Sequence, residues 1–158
     1  GRDRPWSHEY TTWHPLAFAL LHGLTGGERP SSMRLQGMRI LVVEDTPDIR
    51  EVFATLLRAE GADVEAAGSG REAAEIVSRR DFDVVLSDLG LPDIPGDVLI
   101  RQIHSASRRR TRIIVVTGYG EPYLTRARQA GADVVFTKPV EWMRILDYLQ
   151  RTGLAASA

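Results

Sequence analysis

The chain has no cysteine among its 158 residues. This absence excludes a disulfide framework, a thiolate nucleophile and a cysteine-ligated metal, and it suits an intracellular protein. Long apolar runs are missing too. The longest in the N-terminal part, Leu16 to Leu21, falls far short of the roughly 20 residues a membrane span needs. Its flanks, His14 and His22, lack the basic n-region and small-residue cleavage site of an export signal. Neither charge sign is in excess: 20 basic against 21 acidic residues leave a net charge of -1, so nothing in the bulk electrostatics calls for nucleic acid or an anionic membrane. The expectation is a cytoplasmic protein with neither as partner. Histidine is scarce, and three of the four (His8, His14, His22) sit early in the chain without the spacing of a helical metal pair, so no metal site is expected there.

The composition changes near residue 38. Before it lie Trp6, Trp13, those histidines and a stretch of Gly, Pro and Ser from Gly26 to Ser32, the punctuation of a linker. Residues 1–37 therefore read as an N-terminal extension or linker with one short helix over Pro15 to Leu21, residues 38–152 as one domain, and residues 153–158 as a tail. Within the domain, short β-branched runs alternate with amphipathic stretches, the pattern of βαβ units. The runs are Ile40 to Val43, Val64 with its neighbours, Val84 to Leu86, Ile113 to Val116 and Val134 to Phe136. Their unbroken apolarity predicts five parallel strands covered on both faces.

Helices fill the gaps. Thr46-Pro47-Asp48 supplies a cap, a first-turn proline and an early acid, Gly61 closes the far end, and Ile49, Val52, Phe53, Leu56 and Leu57 share one face. Ser69 and Glu72 predict a capping box for a second helix. A third is expected from near Pro95 with Leu99 and Ile103 buried, a fourth from about Pro122 to Ala130, and a fifth with Trp142, Ile145, Leu146 and Leu149 on one stripe.

In a parallel sheet of this kind, functional groups collect beyond the carboxyl ends of the strands. Those ends carry Glu44 and Asp45, then Asp88, Thr117 and Lys138. With the first and third strands adjacent, three carboxylates crowd one cleft, and like charges so close raise one another's pKa unless a cation neutralises them. Oxygen-only ligation selects a hard cation, and Mg²⁺ is the one that most often serves phosphate substrates through one or two carboxylates. Lys138 can pair with a carboxylate or a phosphoryl oxygen, and Thr117 can donate to the same oxygen. Taken singly, an acid at a helix start, a turn threonine and a solvated lysine are commonplace; four such positions at successive strand ends agree with one another. The run Arg108-Arg109-Arg110 reads as a solvated loop between the third helix and the fourth strand.

Four segments, "LVVEDTPDIR", "VVLSDLGLPDIPG", "IIVVTGYG" and "GADVVFTKP", in this order and spacing, resemble the receiver domain of two-component response regulators over Met38 to about Arg151. The resemblance implies a doubly wound, flavodoxin-like α/β sheet with strand order 2-1-3-4-5 and helices on both faces. It also implies Asp88 as phosphoacceptor, Mg²⁺ held by Glu44, Asp45, Asp88 and the Gly90 carbonyl, Thr117 and Lys138 as switch and phosphate-binding residues, and a cis bond before Pro139. The expected partners are a histidine kinase or histidine phosphotransfer protein and a downstream protein, with homodimerisation open. Two origins fit, a stand-alone regulator or the C-terminal receiver of a hybrid sensor histidine kinase. An aspartate-nucleophile phosphatase of the haloacid dehalogenase type fits less well, because Gly90 stands where its second aspartate belongs, and without a general acid or base the expectation is a switch and not an enzyme. An FMN binder is disfavoured because Glu44 and Asp45 would repel the phosphate. Two departures matter: Val135 stands three residues before the lysine, where most receivers have an aromatic whose rotamer couples to the threonine, and Pro95 stands where a small polar residue is common, which fits a helix start.

Overall fold

The computed structural model describes residues 33–156; the short helix expected over Pro15 to Leu21 lies outside the described residues. Five strands, β1 (Arg39–Val43), β2 (Asp63–Ala67), β3 (Val84–Ser87), β4 (Arg112–Thr117) and β5 (Val134–Thr137), alternate with five helices, α1 (Pro47–Ala59), α2 (Gly70–Arg79), α3 (Gly96–Ala106), α4 (Tyr123–Ala130) and α5 (Trp142–Ala156). All pairings are parallel and the strand order is β2-β1-β3-β4-β5, the flavodoxin-like order the resemblance implies. Strand order reverses beside β1, so the loops after β1 and β3 open together at one edge.

The inner strands β1, β3 and β4 are apolar along most of their length because alternate residues serve two cores, whereas the edge strand β2 carries Asp63 and Glu65 and buries only Val64 and Ala67. Ile40 and Val42 face a cluster with Ile49, Phe53 and Leu57 of α1 and Ile145, Leu146 and Leu149 of α5. Leu41 and Val43 face the other, with Ile76 of α2, Leu99 and Ile103 of α3 and Ala127 of α4. Helices thus cover both faces, α1 and α5 on one and α2, α3 and α4 on the other.

The helix ends follow the chemistry expected of them, with variations. Thr46 occupies the cap of α1 with Pro47 at the first turn, but its side chain makes no capping bond. Gly61 takes φ +90 past the end of α1, a conformation open to glycine. Ser69 Oγ accepts the Glu72 amide at 3.1 Å, while the Glu72 carboxylate takes the Gly68 amide at 2.9 Å where a standard capping box takes the cap residue's own. Packed or regular structure reaches beyond the span 38–152 on both sides: Leu35 is 1% exposed within the α1/α5 cluster, and α5 continues to Ala156.

Candidate functional site

β1 and β3 lie side by side with Val43 opposite Ser87, so the residues that follow them leave the sheet together. The Asp88 amide donates to the Val43 carbonyl at 3.2 Å and the Glu44 amide to the Ala67 carbonyl at 3.0 Å. These backbone bonds aim three side chains into one pocket. Carboxylate oxygens of Glu44, Asp45 and Asp88 lie within 4.8 Å of one another. Glu44 and Asp88 are buried and Asp45 is half-buried.

Asp88 is held from two sides. Its Oδ1 accepts the Gly90 amide at 2.9 Å, and its Oδ2 faces Lys138 Nζ at 3.4 Å, with the two side chains only 1% and 6% exposed. Lys138 reaches this position because its amide donates to the Thr117 carbonyl at 2.8 Å, which ties the ends of β4 and β5 together. The Lys138–Pro139 bond is cis. Thr117 is fully buried, and its Oγ1 accepts the Tyr119 amide at 3.0 Å. Its hydroxyl oxygen is thus engaged by the turn after β4. Gly96, at the start of α3, lets the loop after Asp88 fold back closely, since a Cβ there would stand 3.0 Å from the Leu89 carbonyl oxygen.

Arg50 was not among the residues singled out from the sequence. Its Nη1 donates to the Glu44 carbonyl at 2.9 Å, and with the Thr46 amide on Glu44 Oε1 at 3.1 Å it fixes the acidic turn to α1. An arginine in the first turn of a helix that follows an acidic pair is the signal that could have found it. The loop after β3 has a similar unforeseen anchor: Asp93 accepts the Gly70 and Arg71 amides at 3.0 and 2.9 Å, capping α2 from outside its own segment. Val135 is half-buried on the α2/α3/α4 side. The neighbouring aromatic, Phe136, points to the opposite face, where it meets Tyr148 edge-on at 6.0 Å. A one-residue offset in a strand moves a side chain to the other face, so no β5 aromatic lies beside Thr117.

Burial pushes the Glu44 carboxyl up to about 8, and the negative charges of Asp88 and Asp45 add to the rise against the opposing pull of Lys138 and the Thr46 amide. Asp88 is likewise pushed up by burial, with Lys138 and the Gly90 amide opposing. One ammonium does not balance three carboxylates, and two of the three resist ionising. A divalent cation resolves that imbalance, and an all-oxygen donor set within 4.8 Å suits Mg²⁺.

A parallel α/β sheet with carboxylates from two strand ends and a buried ammonium from a third defines a domain suited to divalent-cation and phosphoryl chemistry. The sequence model of the response regulator receiver domain matches residues 40–150; the chain belongs to this family. It is 35% identical over 108 residues to the response regulator protein PilR of Pseudomonas aeruginosa, an alignment covering 68% of this chain and 24% of that protein. The chain thus spans about a quarter of that relative's length. Among solved structures it is similar to the receiver domain of a sensor histidine kinase from Pseudomonas aeruginosa, which has a magnesium ion coordinated in its active-site cleft (30% identity, TM-score 0.66, 73% of this chain and 96% of that one). It is also similar to a response regulator protein from Burkholderia pseudomallei that carries a phosphorylated aspartic acid and a calcium ion (27% identity, TM-score 0.66, 77% and 73%). Among the described residues, no helix is long and apolar enough to cross a membrane.

Proposed function

We propose that Asp88 is the phosphoacceptor of a cytoplasmic two-component or phosphorelay switch, charged by a histidine kinase or a histidine phosphotransfer protein. The observation that carries this reading is the Lys138 ammonium 3.4 Å from Asp88 Oδ2 inside a pocket of three carboxylates. An Asp88 oxygen forms the new O–P bond as the P–N bond to the donor imidazole breaks, and the departing ring keeps the electron pair and takes a proton from solvent. Lys138 pairs with the charge that spreads over the phosphoryl oxygens. Mg²⁺, held by Glu44, Asp45, Asp88 and the Gly90 carbonyl, supplies further neutralisation at those oxygens when bound.

The acyl phosphate adds charge and acceptor oxygens where one carboxylate had been. Thr117 can turn its hydroxyl toward them by releasing the Tyr119 amide, and the change passes to the α4, β5 and α5 surface as a shift of population. Val135 leaves this relay without the usual β5 aromatic. The output is a contact with a downstream protein, made by the surface of the receiver domain, and the residues that precede the domain act as extension or linker. The likeness to the receiver of a sensor kinase supports a second origin, the C-terminal receiver of a hybrid kinase, which the genomic sequence upstream of Gly1 decides.

Intact-mass spectrometry after incubation with acetyl phosphate and Mg²⁺ tests the assignment. Wild-type protein should gain the mass of one phosphoryl group, and Asp88→Asn should gain none. Equal labelling of the two would refute it.

A further inference from the structure

At the opposite end of the sheet, roughly 16 Å of strand away at ~3.3 Å per residue, the charges are arranged unevenly. Along β2, β1 and β3 the rim balances itself. Arg80 pairs with Asp63 and with Glu65 at 3.1 Å, and Arg39 pairs with Asp83 at 3.6 Å. The corner where β4, β5 and α5 meet is different. Arg108, Arg109 and Arg110 are exposed in the loop before β4, Arg112 is half-buried at its start, and Arg151 is exposed in the last turns of α5.

One carboxylate answers them. Asp133 Oδ1 lies 3.7 Å from Arg110 Nη2, but its Oδ2 already accepts the Ile113 amide at 2.8 Å. Among the described residues, Arg108, Arg109, Arg112 and Arg151 have no carboxylate ion-pair partner. Tyr148 marks the middle of the cluster: burial raises its phenol and Asp133 adds to the rise, while the charges of Arg112, Arg110 and Arg151 all act on it in the other direction. Sequence alone offers only a loop of three arginines. The fold adds two more from a strand start and a helix end, together with a phenolic hydroxyl.

We propose that this corner docks a short acidic protein segment, rich in Glu and Asp, independently of the phosphorylation state of the domain. Guanidinium groups match carboxylates two bonds at a time, and Tyr148 offers one further donor. The shape of the field favours a short segment over nucleic acid. A duplex carries about one charge per 1.7 Å along its axis and would extend from this corner over the self-neutralised rim, where Arg39 and Arg80 are already paired with carboxylates. Distance from Asp88 leaves the phosphorylation site free while the segment is bound, so the contact serves as a tether.

Fluorescence anisotropy of the full chain with a labelled oligo-glutamate peptide, and separately with a short labelled DNA duplex, tests the proposal. The wild type should bind the peptide saturably and more tightly than the duplex, binding should weaken as salt rises from about 0.05 to about 0.3 M, and beryllofluoride with Mg²⁺ should leave it unchanged. R108Q/R109Q, which keeps the Arg110–Asp133 pair, should bind about fivefold more weakly if each exposed pair contributes at its usual scale. Arg151→Gln, on a different element, should weaken it as well, and circular dichroism melts should match wild type for both. Absent binding, preference for the duplex, or equal affinity in both variants would overturn the proposal. None of these results bears on the labelling of Asp88.

Discussion

At the scale of single residues, the site stores an electrostatic conflict that pH should expose. Glu44 has a folded-state pKa of about 8 against an ordinary 4.5, raised first by burial and then by Asp88, and Asp88 is displaced in the same direction. A carboxyl that holds its proton more tightly when folded favours the fold while protonated, so its contribution is present below the unfolded value and is lost as pH climbs through the folded one. In EDTA, the urea midpoint should therefore fall between about pH 4.5 and about 8. Mg²⁺ should flatten the fall because it binds the ionised, native pocket, and Glu44→Gln should remove most of it. A midpoint that rises over this window would contradict the assignment. Lys138 provides a complementary check. With its ammonium 3.4 Å from Asp88, Lys138→Met should slow acetyl phosphate labelling about a hundredfold, the scale of losing one preorganised charge donor, yet leave Mg²⁺ affinity equal or tighter since a nearby cation is gone. Weaker Mg²⁺ binding would mean that Lys138 acts on the metal by positioning the Asp88 carboxylate, an effect outweighing the repulsion of its charge.

At the scale of elements, the loop that follows Asp88 is pinned to a helix of the neighbouring βαβ unit. Asp93 caps α2 through two amides, and Ile94 packs so closely on Gly70 that a Cβ there would meet it at 3.0 Å. Asp93→Ala should cost about 1 kcal/mol of stability, the usual worth of an N-cap, measurable by urea denaturation, and Ser69→Ala should cost a similar amount through the Glu72 amide it holds. No loss in Asp93→Ala would mean that water replaces the cap. The two residues differ in how readable they were. Ser69 and Glu72 are three apart, and that spacing is itself the capping signal, whereas Asp93 reaches its amides from 22 and 23 residues away and nothing local marks it. Helix starts written into a few consecutive residues were legible, and those completed by a distant loop were not. Arg50 lies between the two cases: its bond to the Glu44 carbonyl spans only six residues, and its place in the first turn after the acidic pair is a local mark.

At the scale of the whole molecule, the sheet and its carboxyl-end pocket were legible because a doubly covered strand must be apolar throughout, and the first polar residues after each run are then the ones the topology gathers at one edge. Where packing crosses that pattern, the sequence says less. The arginine corner needs residues from β4 and α5 in one place, and Leu35 lies in a stretch whose composition suggests a linker. Leu35 is nevertheless 1% exposed among Ile40, Phe53 and Leu57, and its amide donates to the Glu60 carbonyl at 2.8 Å, closing the far end of α1. A leucine so enclosed contributes through lost water contact and through the cavity its removal leaves, so Leu35→Ala should lower stability by about 2–5 kcal/mol. The substitution lies at the opposite end of α1 from the acidic pocket, so labelling of Asp88 in the folded protein should be unaffected. Urea denaturation of the variant beside a chain that begins at Met38 checks both parts. Comparable losses in the two would extend the folding unit to Leu35, and wild-type stability in either would return residues 33–37 to the linker.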